Sequence, residues 1–122
     1  MKQYAPGSPR LITTRVRPHV LNGGIIATLI DCHGGWTAIA VAYRKEGRGI
    51  NTEPPIWYAT ASLNVKYLRP TPMDEAVVLR ARVKETTGKK TIVTCSLFAM
   101  GKECAIGEVA AVRVTKRFWD ER

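Results

Sequence analysis

The sequence predicts an α+β domain with one long helix and an antiparallel sheet, on two observations. The stretch Asn22–Tyr43, NGGIIATLIDCHGGWTAIAVAY, opens on a capping residue and a glycine pair and then runs apolar for about five helical turns. Its large apolar residues, Ile25, Ile26, Leu29, Ile30, Trp36, Ile39 and Val41, point in all directions, as in a helix covered on nearly every side. From Trp57 onward, four segments alternate apolar and polar residues and are separated by short turns, the pattern of an antiparallel meander.

The elements follow in order. Met1–Ser8 reads as an arm, and Leu11–Val16 as a short strand stopped by Pro18, which cannot donate to a ladder. Arg44 and Lys45 place positive charge in the last turn of the helix, and Gly47 suits its C-terminal stop. The loop Arg48–Pro55 then leads to Trp57–Leu68, where Trp57, Ala59, Ala61, Leu63, Val65 and Tyr67 share one face. Tyr58, Thr60, Ser62, Asn64 and Lys66 share the other, and Pro70 and Pro72 end the strand. Ala76–Glu85 points Val77, Leu79, Ala81 and Val83 inward, with Arg80, Arg82 and Lys84 on a solvated face. Thr86–Lys89 turns into Lys90–Met100, and Gly101–Glu103 turns into Cys104–Lys116.

A chain of 122 residues fits a single domain over residues 1–122. Three cysteines, an odd number without metal-like spacing, read as reduced thiols. With no apolar signal segment at the start, a cytoplasmic setting is expected. Asp31, His33 and the Gly34–Gly35 pair argue against a membrane span for the long helix, so no membrane partner is expected. The net charge of +9 suits either a phosphate-bearing small molecule or nucleic acid, and equally a soluble basic surface.

Two positions in the helix carry chemistry. Asn22 caps it, and Gly23 and Gly24 leave backbone N–H groups uncovered at the positive end of the dipole, where an anion or a polarised carbonyl oxygen is favoured. A tight glycine turn at any buried helix start would look the same. Asp31 is flanked by Ala27, Thr28, Gly34 and Gly35, a small-residue row that invites close approach by a second subunit. A carboxylate on an apolar helix is either paired with an arginine or put to use in acid–base chemistry. His33 reads as a core or interface residue, and Cys32 beside it cannot form a dyad, because helix neighbours diverge. No metal cluster or Ser-His-Asp set is visible, so no metal and no cofactor are expected.

The run N-G-G-I-I-A-T-L-I-D, followed by T-A-S-L-N-V-K-Y-L-R-P, resembles the hotdog-fold acyl-CoA thioesterases, in particular the 4-hydroxybenzoyl-CoA and phenylacetate-pathway group. The resemblance covers roughly Val20–Val114. It implies a hotdog fold, in which a curved antiparallel sheet wraps one long buried helix. The family opens this helix with H-G-G and places an acidic residue at the distance that separates Asn22 from Asp31. By resemblance, the Gly23 amide polarises the thioester carbonyl, Asp31 activates water or attacks the carbonyl, and Thr60 positions the water. Asn22 replaces the usual His, and Val16 falls where several members carry Asn or Gln.

The resemblance further implies an acyl-CoA substrate, with coenzyme A entering only as part of it, and a homo-oligomer, a dimer or a dimer of dimers. Asn22 and Gly24 would line the substrate site, and Arg69, Lys89 and Lys90 would meet the phosphates or remain solvated turn residues. The expected activity is hydrolysis of an acyl-CoA thioester. A non-catalytic acyl-CoA-binding or sensing module on the same fold is the alternative, and a basic nucleic-acid-binding protein ranks last.

Overall fold

The helix forms where the caps dictate. In the computed structural model, which describes residues 19–115, α1 spans Gly23–Lys45. Asn22 is extended, at φ −62° and ψ 137°, and its side-chain oxygen accepts from the Gly24 amide at 2.7 Å. At the far end Gly47 takes φ +68°, a left-handed turn that glycine adopts without a Cβ penalty. The Arg48 amide donates to the Tyr43 carbonyl and the Gly47 amide to the Arg44 carbonyl, each at 3.0 Å, which completes a Schellman stop.

Four strands follow: β1 (Trp57–Tyr67), β2 (Val77–Thr87), β3 (Lys90–Ala99) and β4 (Lys102–Val114). They form one antiparallel sheet in the order β1-β4-β3-β2. Only β2, β3 and β4 make the expected meander. β1 pairs with β4, and the chain crosses from one sheet edge to the other through residues 68–76. That segment cannot fold as a hairpin loop because it is tied to the chain ahead of the helix. The Leu21 amide donates to the Thr71 carbonyl and the Met73 amide to the His19 carbonyl, both at 2.8 Å. The last hairpin turns one residue earlier than expected, at Met100 (φ +53°) and Gly101 (φ +74°), both left-handed as a type I′ turn requires. Lys102 is already paired with Ala99. The expected arm at Met1–Ser8, the strand at Leu11–Val16 and the end of the last strand at Lys116 lie outside the described residues.

The helix is not covered on nearly every side within one chain. Only the stripe Ile26, Ile30, Gly34 and Ala38, with Tyr43 beyond it, is buried; Trp36 is 59% exposed. One sheet can cover only one side of a cylinder about 10–12 Å across. The stripe packs on Val93, Cys95, Leu97, Ala105, Val109 and Ala111. Burial of Ile30 alone contributes roughly 1.5–3 kcal/mol. Glycine sets the distance: a Cβ on Gly34 would lie 2.7 Å from Val109 Cγ2, and one on Gly107 2.5 Å from Ile30 Cγ2. Gly34 therefore serves the chain's own sheet rather than a second subunit, whereas a Cβ on Gly35 would meet nothing within 4 Å.

A register shift in β1 alters the expected faces. Thr60 pairs with Ala111 and Ser62 with Ala110, so Ala61 is an extra residue on the β1 side. Before the bulge Tyr58 packs on the helix side, against the cluster of Ala38, Val93 and Ala111; after it Val65 does, against the cluster containing Ile26 and Ile30. An unbroken alternation would put these two on opposite faces, and the inserted residue reverses the parity.

Beyond the helix, Glu46 accepts from Arg113 at 2.7 Å and from Arg48 at 2.9 Å, and the Arg48 guanidinium lies 4.9 Å from the centre of the Tyr43 ring. The Arg113 hydrogen bond first, and the Arg48 hydrogen bond second, hold the Glu46 carboxyl below its ordinary range. A lowered folded-state value stabilises the fold above the unfolded value, and the effect disappears as pH falls through the folded one. The melting-temperature gap between wild type and Glu46→Gln should therefore be widest near neutrality and close on acidification below the usual carboxylate range. Gly107→Ala should cost about 1–3 kcal/mol of stability in a denaturant titration, because its Cβ collides with a packed Ile30 methyl.

Candidate active site

The start of α1 has one spare donor. Among the first-turn amides, Gly24 is capped by the Asn22 side chain, and Ile25 and Ile26 both donate to the Asn22 carbonyl at 3.1 Å. Gly23 thus supplies the amide that these caps leave over at the positive end of the dipole. The Tyr67 hydroxyl donates to the Gly23 carbonyl at 2.7 Å, and its ring lies so near that a Cβ on Gly23 would stand 3.3 Å from it. A side chain there would press on the exposed Tyr67 ring, which would have to give by a few tenths of an ångström. A cavity of about 440 Å³ opens beside it, with Leu21, Gly23, Ile26, Tyr67, Arg69 and Thr71 among its walls. Arg69 is steadied by donation from its Nε to the Glu103 carbonyl at 3.1 Å, leaving the rest of its fork toward solvent.

Asp31 is half-exposed on the flank of α1 that faces β1. The Thr60 hydroxyl donates to Asp31 Oδ1 at 2.8 Å. That contact exists because Thr60 precedes the bulge and so looks toward the helix. Asp31 has no ion pair with a described residue, so no described arginine fills the paired alternative. Thr60 engages one carboxylate oxygen, leaving the other able to accept a proton.

Within one chain these two groups do not converge. The rise of an α-helix puts the Gly23 and Asp31 backbones about 12 Å apart, too far to grip a single carbonyl group from both sides. Lys89 sits in the β2–β3 turn, its carbonyl accepting from the Arg113 amide at 2.8 Å, and Lys90 opens β3, paired with Val112. This is the end of the sheet near the helix C-terminus, opposite the Gly23 cavity. Arg69, Asn22 and Gly24 lie at the cavity end.

Two residues at this end are not picked out by sequence reasoning. Tyr67 reads only as the end of a strand, although its position in Y-L-R-P just before the crossover was the available signal. Thr71 lies between two prolines and shows no signal at all; it is 1% exposed, and its hydroxyl has no hydrogen-bond partner. Among the described residues no group of His, Cys, Asp or Glu could hold a metal ion.

A long helix laid across a curved antiparallel sheet in the order β1-β4-β3-β2 is the hotdog architecture. A thioesterase superfamily protein from Shewanella loihica matches with a TM-score of 0.63 at 39% identity, covering 80% of this chain and 72% of that one. A Bacillus halodurans protein solved with CoA matches in fold at a TM-score of 0.61 and 21% identity, over 78% of this chain and 56% of its own. The thioesterase superfamily model matches residues 19–105, and the chain belongs to that family. The acyl-coenzyme A thioesterase THEM4 of Mus musculus is 30% identical over 95 residues, and that of Rattus norvegicus 31% over 80. The mouse match takes in 78% of this chain but 35% of the relative, so the chain spans about a third of that protein's length.

Because the Tyr67–Gly23 bond closes the helix start from the sheet side, Tyr67→Phe should lower stability by about 0.5–1 kcal/mol in equilibrium unfolding while leaving the cap intact.

Proposed function

We propose that the protein hydrolyses an acyl-CoA thioester to the free acid and CoA, in a site assembled between two copies of the chain. One observation carries this: a carboxylate without an ion pair to any described residue, held by a threonine hydroxyl, beside a strand edge that no described strand covers. Membership of the thioesterase superfamily supports the reaction class.

The second copy answers the spacing. Among the described strands β1 lies at the edge of the sheet, exposed from Thr60 to Asn64, and an edge that no described strand covers invites another strand. Two β1 strands paired antiparallel about Leu63 would set Thr60 and Asp31 of one copy beside Tyr67 and Gly23 of the other. A self-complementary contact of this kind is a two-fold interface and creates two equal sites. Each would have the Gly23 amide from one chain and Asp31 from its mate, the pair that one chain alone holds about 12 Å apart.

The chemistry follows from those roles. The thioester oxygen accepts from the Gly23 amide, which gains strength as negative charge develops on it. Asp31 takes a proton from water, and the resulting hydroxide adds to the carbonyl carbon. Collapse of the tetrahedral adduct breaks the carbon–sulfur bond, expels the CoA thiolate and leaves the acid. Thr60, by donating to Oδ1, keeps the other carboxylate oxygen turned to the water. Arg69, which lines the cavity, would meet a phosphate of the nucleotide.

Asp31→Asn keeps the shape and removes the base. In an assay across short, long and aromatic acyl-CoAs it should lower kcat at least about a hundredfold, with an unchanged elution volume on size exclusion. Turnover near the wild-type level would refute the assignment. Binding without turnover by the wild-type protein would mark it as a sensing module instead.

A further inference from the structure

The first turn of α1 has little of its own to seat it on the sheet. Gly23 and Gly24 carry no side chain, Ile25 is 36% exposed, and the buried stripe of the helix begins only at Ile26. Ahead of the helix, the Leu21 amide is tied to the crossover at Thr71 rather than to a strand. Tyr67 spans the gap that remains. From the last residue of β1, its hydroxyl donates to the Gly23 carbonyl at 2.7 Å. The strand end that carries it is itself anchored, because the Leu68 and Arg69 amides both donate to the carbonyl of buried Cys104, at 2.8 and 3.2 Å. Tyr67 is 53% exposed, so water would take up its hydroxyl if the bond broke, and the bond adds only modestly to stability. Its effect is on position.

We infer that Tyr67 is a positioning residue for the proposed thioester cleavage, its hydroxyl fixing where the Gly23 amide stands over β1. This inference rests on the acyl-CoA reading above. In that reading the base arrives from the second copy through paired β1 strands, so β1 is the common reference for both halves of the site. Asp31 is tied to that strand by Thr60, whose hydroxyl donates to Oδ1 at 2.8 Å. Gly23 is tied to it by Tyr67, further along the same strand. The two hydroxyls together set how far one chain's amide stands from the other chain's carboxylate. The helix cannot do this alone. Its Asn22 carbonyl, in the same peptide plane as the Gly23 N–H, accepts from Ile25 and Ile26, which aims the N–H along the axis without fixing where the axis begins on the sheet. An oxyanion donor works by standing in place before charge develops, and a small displacement costs rate rather than ground-state affinity.

The test compares wild type with Tyr67→Phe, which keeps the ring beside the cavity, on the acyl-CoA that the wild type cleaves best. The variant should lose about tenfold in kcat with KM held within about twofold, the mark of an interaction that counts in the transition state and not in binding. Glu46→Gln, which loses ion pairs at the far end of the helix, should keep the wild-type kcat at a temperature where both proteins are folded. In NMR relaxation, the order parameter of the Gly23 amide should fall from about 0.85 in wild type to below about 0.6 in Tyr67→Phe, with the Ile30 amide unchanged. Wild-type kcat in Tyr67→Phe, a rise in KM alone, or an equal loss in Glu46→Gln would overturn the inference and leave the hydrolysis standing. Equal order at Gly23 in both proteins would overturn it as well. A wild type that cleaves no thioester, with Gly23 loosened only in Tyr67→Phe, refutes the proposed reaction and leaves the seating of Gly23 by Tyr67 standing.

Discussion

The structure depends on how closely α1 lies on β4. Gly34 takes the Val109 side chain against the helix backbone, and Gly107 takes Ile30 against the strand. These two reciprocal contacts hold the helix at a height no pair of larger residues would permit, since interiors pack without slack. Everything functional inherits that height. Asp31 lies one position along from Ile30, so the seating of Ile30 over Gly107 fixes where the carboxylate stands relative to Thr60. The same seating carries the helix start down to the Tyr67 ring.

A single inserted residue then decides which side chains meet. Without Ala61 as an extra residue, Thr60 and Val65 would belong to opposite faces of β1, and the helix could contact one of them but not both. The bulge lets one strand give a packed apolar end near Ile26 and a polar contact at Asp31. Bulges recur where a sheet must re-aim a side chain, and here the side chain is the one that touches the only acid on the helix.

Much of this was legible in the residues. The helix, its cap at Asn22, its stop at Gly47 and all four strands follow from periodicity and turn chemistry, which are local properties. The N-G-G to Asp31 spacing marked the family, and the family model covers that segment. Other features depend on distance in space rather than in sequence. The pairing of β1 with β4 is decided by what the 68–76 segment binds, and that partner lies ahead of the helix. The bulge is invisible to an alternating pattern that reads equally well through it. Gly34 looked like an interface residue because a small side chain signals close approach without saying to what. The separation of Lys89 and Lys90 from Arg69 reflects the same limit, since strand order sets which turns share an end of the sheet.

The two margins of the sheet differ in charge. β2, at one margin, carries Arg80, Arg82 and Lys84 against the single acid Glu85, whereas β1, at the other, carries Lys66 as its lone charged residue. Like charges resist lateral addition, so a β2 margin repels another of its kind while the nearly neutral β1 margin tolerates one. Growth of the sheet would therefore stop after a single joining event. On the reading that two copies join through β1, the same contrast in charge would keep the pair from extending into a ribbon.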